Sequence, residues 1–295
     1  MGGAAFSDGT ASHPASATAG WRAWLLLSPL LAWLGVFVAL PTFLLVLTSF
    51  SKRDFLGRVV YDFTLENYLR LDTTWLTIFG NSILYAFLAT VICVVVGYPA
   101  AYTIGRASPG ARRLLLTLVM IPFWTSFLIR TYAWISILSE QGLANSLLLA
   151  SGIFTQPLPM MYTPFSIVLG LVYNYLPFMI LPIYTSVENL DNSLIEAAYD
   201  LGAGPVRAFS RVIIPLTKPG IAAGALLVFV PAIAMYAITT LMGGGSNPTI
   251  GEVIQNQFTK AKNQPFGAAL GVLLMLLFLV SFLILGRKKN ASQAA

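Results

Sequence analysis

Few side chains in these 295 residues could make or break bonds, and they are not placed to do it. The single histidine, His13, stands among Gly, Ala, Ser and Thr, and the single cysteine, Cys93, lies in an apolar run with no base beside it. An enzyme needs a nucleophile with a positioned acid or base, and a metal needs several His, Cys, Asp or Glu ligands; neither set is present. One cysteine also permits no internal disulfide. No Gly-x-x-x-x-Gly-Lys-Ser/Thr run occurs, so the chain lacks that phosphate-cradling loop. The pattern that does stand out is mechanical, in the polar island from Ser193 through Glu196, Ala197, Ala198 and Leu201 to Gly202. Ser193 with Glu196 three residues later reads as a capping box that starts a helix near Ser193. Leu194, Ala197, Ala198 and Leu201 then form one narrow apolar face, small enough for another surface to approach closely, while Glu196, Tyr199 and Asp200 point elsewhere. Gly202 is placed to end that helix in the left-handed conformation, and Pro205 to open a second one bearing Val206 and Phe209. Pro215 and Pro219 are expected to stop the second helix.

A second group of polar side chains sits inside apolar sequence. Arg130 is the one ionisable residue clearly within an apolar span, where such residues face a cavity, a partner or the interface; its place near one end also suits simple anchoring. Tyr132 and Trp134 follow it, Tyr173, Asn174 and Tyr175 stand in the next apolar run, and Tyr236, Thr239 and Thr240 in the one after. Rings in such places either line a solute path or sit at the headgroup level as anchors. We take these nine residues as a candidate solute path.

Both groups need a bilayer to position them. Hydrophobic residues make up 57% of the chain and charged ones 9%, against roughly 25% charged in soluble proteins. Crossing about 30 Å of hydrocarbon takes roughly 20 apolar residues, and six runs qualify, near 24–50, 75–103, 114–137, 164–187, 219–241 and 265–286. They lack the alternation of a barrel strand, which leaves an all-α integral membrane protein with six transmembrane helices. Residues 1–20 are too poor in apolar groups to fold and read as a disordered tail. Residues 21–60 hold the first span, retained and not cleaved, with Pro29 and Pro41 as sites of bending, and an outer loop. Residues 61–286 form the core, with the polar island at 188–218, and 287–295 a basic tail. A surface helix is expected within Phe63–Leu69 and another within Gly142–Leu149, and Pro99 invites a bend near the end of span two.

The net charge of +6 is distributed unevenly. Arg22, Arg106, Arg112, Arg113, Arg207, Arg211, Lys218, Arg287, Lys288 and Lys289 share one side of the six-span scheme. The positive-inside bias therefore puts both termini and the 188–218 island in the cytoplasm. The basic excess is a topology signal; no interleaving of aromatic and basic residues suggests nucleic acid.

The spacing of Glu196-Ala197-Ala198, Gly202 and Val212-x-Ile214-Pro215 resembles the EAA loop of ABC-importer permease subunits, with Val212 and Ile214 where that family usually has Ile and Leu. The resemblance implies the type I importer permease fold. It implies that the 188–218 island is a coupling helix seated on an ATP-hydrolysing subunit through Ser193, Leu194, Glu196, Ala197, Ala198, Leu201, Gly202, Pro205 and Pro215. The partners it implies are a second homologous permease, two ATP-binding subunits that carry the ATP and Mg²⁺, a periplasmic or tethered solute-binding protein and the bilayer of a bacterial inner membrane. Gly170–Met179, Glu188–Asp191, Glu196–Ala203, Leu241–Gly245, Ile250–Phe258 and Pro265–Ala269 further resemble spermidine/putrescine importer permeases. That likeness runs from about residue 60 to 286 and implies a polyamine-like cargo. One departure bears on charge: such permeases tend to carry an Asp just before the Leu-Met/Leu-Gly-Gly segment, and some a Glu, where this chain has Thr239-Thr240 and Met235. Tyrosines can still hold an amine through their ring faces, and the remaining Thr, Asn, Tyr and Arg130 equally suit a neutral, zwitterionic or anionic solute. A gradient-driven transporter would place acids or histidines in its spans, whereas the acids here read as loop residues. A channel would leave the EAA pattern without a purpose.

Overall fold

The computed structural model describes the backbone of residues 19–293, so most of the tail expected over 1–20 lies outside the described residues. The first span is α1 (Ala19–Leu34) continued through a widened turn at Gly35–Ala39 into α2 (Leu40–Ser49). Pro41 has no N–H to return to Phe37, and the widened turn lies directly ahead of it. Two short strands, β1 (Lys52–Arg53) and β2 (Val59–Val60), then pair antiparallel. The expected surface helix is the single turn α3 (Glu66–Leu69), where the Thr64 hydroxyl accepts from the Glu66 N–H at 3.2 Å. Buried Asn67 donates from Nδ2 to the Ser49 and Ser51 carbonyls at 3.0 and 2.9 Å, which fixes this turn against the end of the first span.

Helix α4 (Thr73–Arg106) crosses in one piece, Pro99 included. Span three departs from the straight helix expected over 114–137. It is α5 (Pro109–Met120) with a tight turn at Ile121–Trp124, then α6 (Phe127–Leu138) and α7 (Leu143–Ala150), bent by 90°. Pro122 withholds an N–H inside the tight turn, and the Thr125 hydroxyl donates to the Pro122 carbonyl at 2.8 Å, competing with helix continuation. After α7, the expected surface helix, comes α8 (Pro164–Glu188), started by a capping box between Thr163 and Ser166.

The polar island forms α9 (Asn192–Asp200) and α10 (Pro205–Ala208). Through a widened turn at Phe209–Ile213, α10 runs on into α11 (Ile214–Ala234), so Pro215 and Pro219 do not stop this helix as expected. Pro215 has no N–H to return to Arg211, and the widened turn lies directly ahead of it, as at Pro41; Pro219 is carried inside a helix that neighbours support. Span five breaks instead at Met235–Tyr236, followed by α12 (Ala237–Gly243), α13 (Ile250–Thr259) and α14 (Gln264–Gln293). Among the described residues four helices are long and apolar enough to cross a membrane, the bent pair makes a fifth, and Gln264–Val280 of α14 is a shorter apolar helix.

The core is the seam of α4, α8 and α11. Gly97 lies against Met179 and Ile180, and Gly105 against Val187, so α4 and α8 run parallel. Gly224 lies against Met179, and Gly220 against Ser186 and the Pro182 carbonyl, so α11 runs antiparallel to α8. Small residues at these crossings let backbones approach where lipid offers no hydrophobic drive. Because α4 and α8 are parallel neighbours, the bent pair between them has to carry the chain back across: it is a span, not an excursion.

Candidate functional site

The polar island projects from one end of that seam. Its helix does not begin with the Ser193–Glu196 capping box. The cap is Asp191, whose Oδ1 accepts the Ser193 N–H at 2.9 Å; Ser193 and Glu196 are exposed. Asp at a helix start offers the better acceptor, and hydrogen bonds from the Ser193 amide and hydroxyl hold its carboxyl below the usual range. The far end is as read: Gly202 has φ +80°, its N–H reaches the Tyr199 carbonyl at 2.9 Å, and the Ala203 N–H reaches back to Ala198 at 3.0 Å. Pro205 opens the second limb behind the extended Gly204.

The apolar face divides differently from its spacing. Ile195 and Ala198 turn inward, Ala198 at 9% exposure, whereas Leu194, Ala197 and Leu201 face out, Leu201 at 89%. Val206 on the second limb is also bare, at 81%. The hairpin thus holds Leu194, Leu201 and Val206 out of its own fold. Beside it an open hollow of ≈ 630 Å³ is lined by Gly202, Pro205, Val206, Arg207, Ser210 and Arg211.

The hairpin is tied firmly to the seam. Arg112 pairs with Glu188 at 2.6 Å and donates to the Gly105 carbonyl at 3.1 Å, and Arg106 donates to Asn192. The Phe209 ring packs edge-on against Tyr98 and Tyr102, with centroids 5.5 and 5.8 Å away. The Tyr98 hydroxyl meets that of Thr217 at 2.9 Å. A displacement of the hairpin is therefore passed to the adjoining ends of α4, α8 and α11.

Of the candidate path residues, three come together. The Arg130 guanidinium lies over the Tyr173 ring, 5.9 Å from its centroid, and Trp134 meets the same ring edge-on at 5.5 Å. Arg130 Nε and Nη1 are out of water with no hydrogen-bond partner. Asn174 and Tyr175 are buried beside this cluster in sequence, Asn174 donating to the Gly170 carbonyl at 2.9 Å with its Oδ1 unpartnered. Tyr132 and Tyr236 are exposed. Thr239 is buried and accepts from the Thr249 hydroxyl at 3.0 Å; Thr240 Oγ1 is buried without a partner. The acids are not all loop residues: Glu252, within the Ile250–Phe258 run, is buried on α13 with Oε2 unpartnered. Its sequence signal was an acid between apolar neighbours Gly251 and Val253, easily taken for a loop beside Gly243-Gly244-Gly245.

A multi-span helical bundle around the α4–α8–α11 seam, with an EAA hairpin tied to one end of it, has the form of an importer permease. The family described as "Binding-protein-dependent transport system inner membrane component" matches residues 94–288, and the chain belongs to it: it is a multi-pass inner-membrane permease subunit of an ABC importer. It is 43% identical over 259 residues to the spermidine/putrescine transport system permease protein PotB of Escherichia coli K12, covering 88% of this chain and 94% of that one. It is 42% identical to PotB of Haemophilus influenzae, covering 82% and 85%. A crystal structure of a bacterial ABC transporter involved in the import of the acidic polysaccharide alginate shares the fold, with TM-score 0.75 at 16% identity over 92% of this chain and 96% of that one.

Proposed function

We propose that this subunit passes a polyamine, or a closely related small organic amine, from a binding protein across the inner membrane, driven by ATP hydrolysis on partner subunits. The polyamine reading is supported by the two PotB relatives. The Arg130 guanidinium, whose Nε and Nη1 are out of water without a hydrogen-bond partner, favours a second reading, a zwitterionic or anionic solute. The drive is supported chiefly by the bare Leu194, Leu201 and Val206 on a hairpin locked to three spans.

In this reading the chain works with a second, homologous permease, two ATP-binding subunits and a periplasmic or tethered binding protein. ATP and Mg²⁺ belong to the ATP-binding subunits; this chain contributes no nucleotide loop. Both termini and the hairpin lie in the cytoplasm, in keeping with the basic residues at that end. When the two ATPases close, each carries its hairpin, and the α4–α8–α11 seam follows as one body. The bend at Thr125–Ser126 and the break at Met235–Tyr236 are where the rest of the bundle gives way. The test is reconstitution of the complete transporter with its binding protein. ATP-dependent spermidine uptake is expected; a binding protein that takes up no polyamine in a thermal-shift screen, with no spermidine uptake, refutes the cargo assignment.

A further inference from the structure

Immediately after the break in span five, three acceptor oxygens are shut away from water with nothing to accept. Glu252 is 5% exposed and its Oε2 takes no hydrogen bond. One helical turn along the same face of α13, the Asn256 Oδ1 is in the same condition, and so is Thr240 Oγ1 on α12, against which α13 packs. The helix that carries Glu252 is fixed on several sides. The Ile250 N–H donates to the Ser82 hydroxyl at 2.7 Å, the Thr249 and Thr239 hydroxyls meet at 3.0 Å, and Gly251, lacking a Cβ, lies directly against the Ala234 carbonyl and Met235. Glu252 is therefore held in place and not merely tucked in by a mobile loop.

A buried carboxyl whose Oε2 is out of water and without a partner is costly, and fold stability alone would favour an apolar residue there. The ion pairs among the described residues are Lys52–Asp62, Arg70–Glu66 and Arg112–Glu188, and none involves Glu252. The basic residue that acts on it, Lys260, is two turns further along the helix and exposed. What the three oxygens lack is a donor, and the ligand chemistry that supplies donors and positive charge together is an ammonium group. We propose that Glu252, with Asn256 and Thr240, is where this chain grips a primary or secondary ammonium group of the solute during transfer; this rests on the amine-import reading above.

The complete transporter in proteoliposomes, with spermidine as probe, tests it. Spermidine uptake by the wild-type complex is the first requirement, and its absence refutes the cargo reading. With uptake established, E252Q is expected to lower its rate roughly tenfold to a hundredfold, the value of one charge-assisted hydrogen bond. Assembly yield and thermal midpoint are expected to hold or rise, because an unpaired buried charge is removed, and E252D to recover part of the uptake. Wild-type uptake by E252Q overturns the assignment of Glu252 alone. So does a loss of uptake matched by lost assembly or a lower midpoint, the signature of a purely structural carboxyl.

Discussion

Arg112 reaches from the start of α5 to hold Glu188 at 2.6 Å, at the point where α8 gives way to the hairpin. The pair is partly exposed, so its direct worth to stability is small, about 0.5–1 kcal/mol. Its position makes it matter more for force transmission, because Arg112 also holds the Gly105 carbonyl and so joins the ends of α4, α5 and α8. Glu188→Gln is expected to leave the thermal midpoint nearly unchanged while ATP use per solute moved rises. Arg112→Lys should behave like Glu188→Gln, since an ammonium cannot serve both acceptors as a planar guanidinium does. A double-mutant cycle on uptake and midpoint checks both; additivity in uptake would show that the pair carries no coupling.

The docking face is tested at Leu201 rather than Ala198. A charge at Ala198 would enter the hairpin's own packing, so Ala198→Asp would damage the fold and the interface together. At 89% exposure Leu201 contributes almost nothing to the isolated subunit, yet burying such a side chain against a partner yields about 1.5–3 kcal/mol. Leu201→Asp is therefore expected to leave membrane insertion and midpoint intact while weakening association with the ATPase roughly tenfold or more. Co-purification and ATPase stimulation measure this; normal values for both would remove Leu201 from the interface.

The termination at Gly202 and the opening at Pro205 were legible in the sequence because each depends on one residue's backbone preference, and no neighbour can override φ +80°. The start is less legible because Asp191 and Ser193 are both good caps, and a pattern cannot say which one the preceding helix presents. The inward turn of Ile195 and Ala198 was hidden for a related reason: spacing defines a stripe, but which edge of it faces the rest of the protein depends on where the Phe209 limb packs. The bend in span three and the passage of α11 through Pro219 depend on what neighbouring helices supply to a proline's stranded carbonyl, which is tertiary information. The burial of Glu252 is not legible in the sequence, because a single acid carries no sign of whether water reaches it.

Gly202 gives a clean test of hairpin geometry. An added Cβ would meet nothing within 4 Å, so Gly202→Ala acts through the left-handed backbone alone. The cost is about 1–2 kcal/mol, taken up locally by fraying the last turn of α9. Gly202→Asn should lose less, because Asn tolerates this conformation. Hydrogen exchange over 197–203 is expected to rise in the order wild type, Asn, Ala, and equal protection in all three would deny that this turn is under conformational demand.

Asp191 makes the start of α9 sensitive to acid. Its carboxyl is held below its ordinary value, so the folded form favours the charged state. The cap therefore contributes fully above the unfolded pKa near 3.9 and is lost as pH falls through the lower folded value. Exchange protection over 192–197, corrected for intrinsic rates, should fall below about pH 4. Asp191→Asn, which keeps an acceptor without a titrating proton, should abolish that fall. An unchanged acid response in the Asn variant would locate the sensitivity elsewhere.

Tyr173 separates the path residues that the fold gathers from those it does not. Its ring lies beneath the Arg130 guanidinium and takes the edge of Trp134, contacts worth about 0.5–1.5 kcal/mol each. Tyr173→Ala releases both, leaving Arg130, already short of partners at Nε and Nη1, with less to hold it. Tyr173→Phe keeps the ring and should keep most of the uptake, because the face and not the hydroxyl makes these contacts. Tyr132, exposed on α6, lies outside the cluster, and Tyr132→Ala is expected to transport at close to the wild-type rate. Uptake by Tyr173→Ala should fall severalfold at normal assembly. Equal uptake by Tyr132→Ala and Tyr173→Ala would mean that the Arg130 cluster anchors the helix and plays no part in the path.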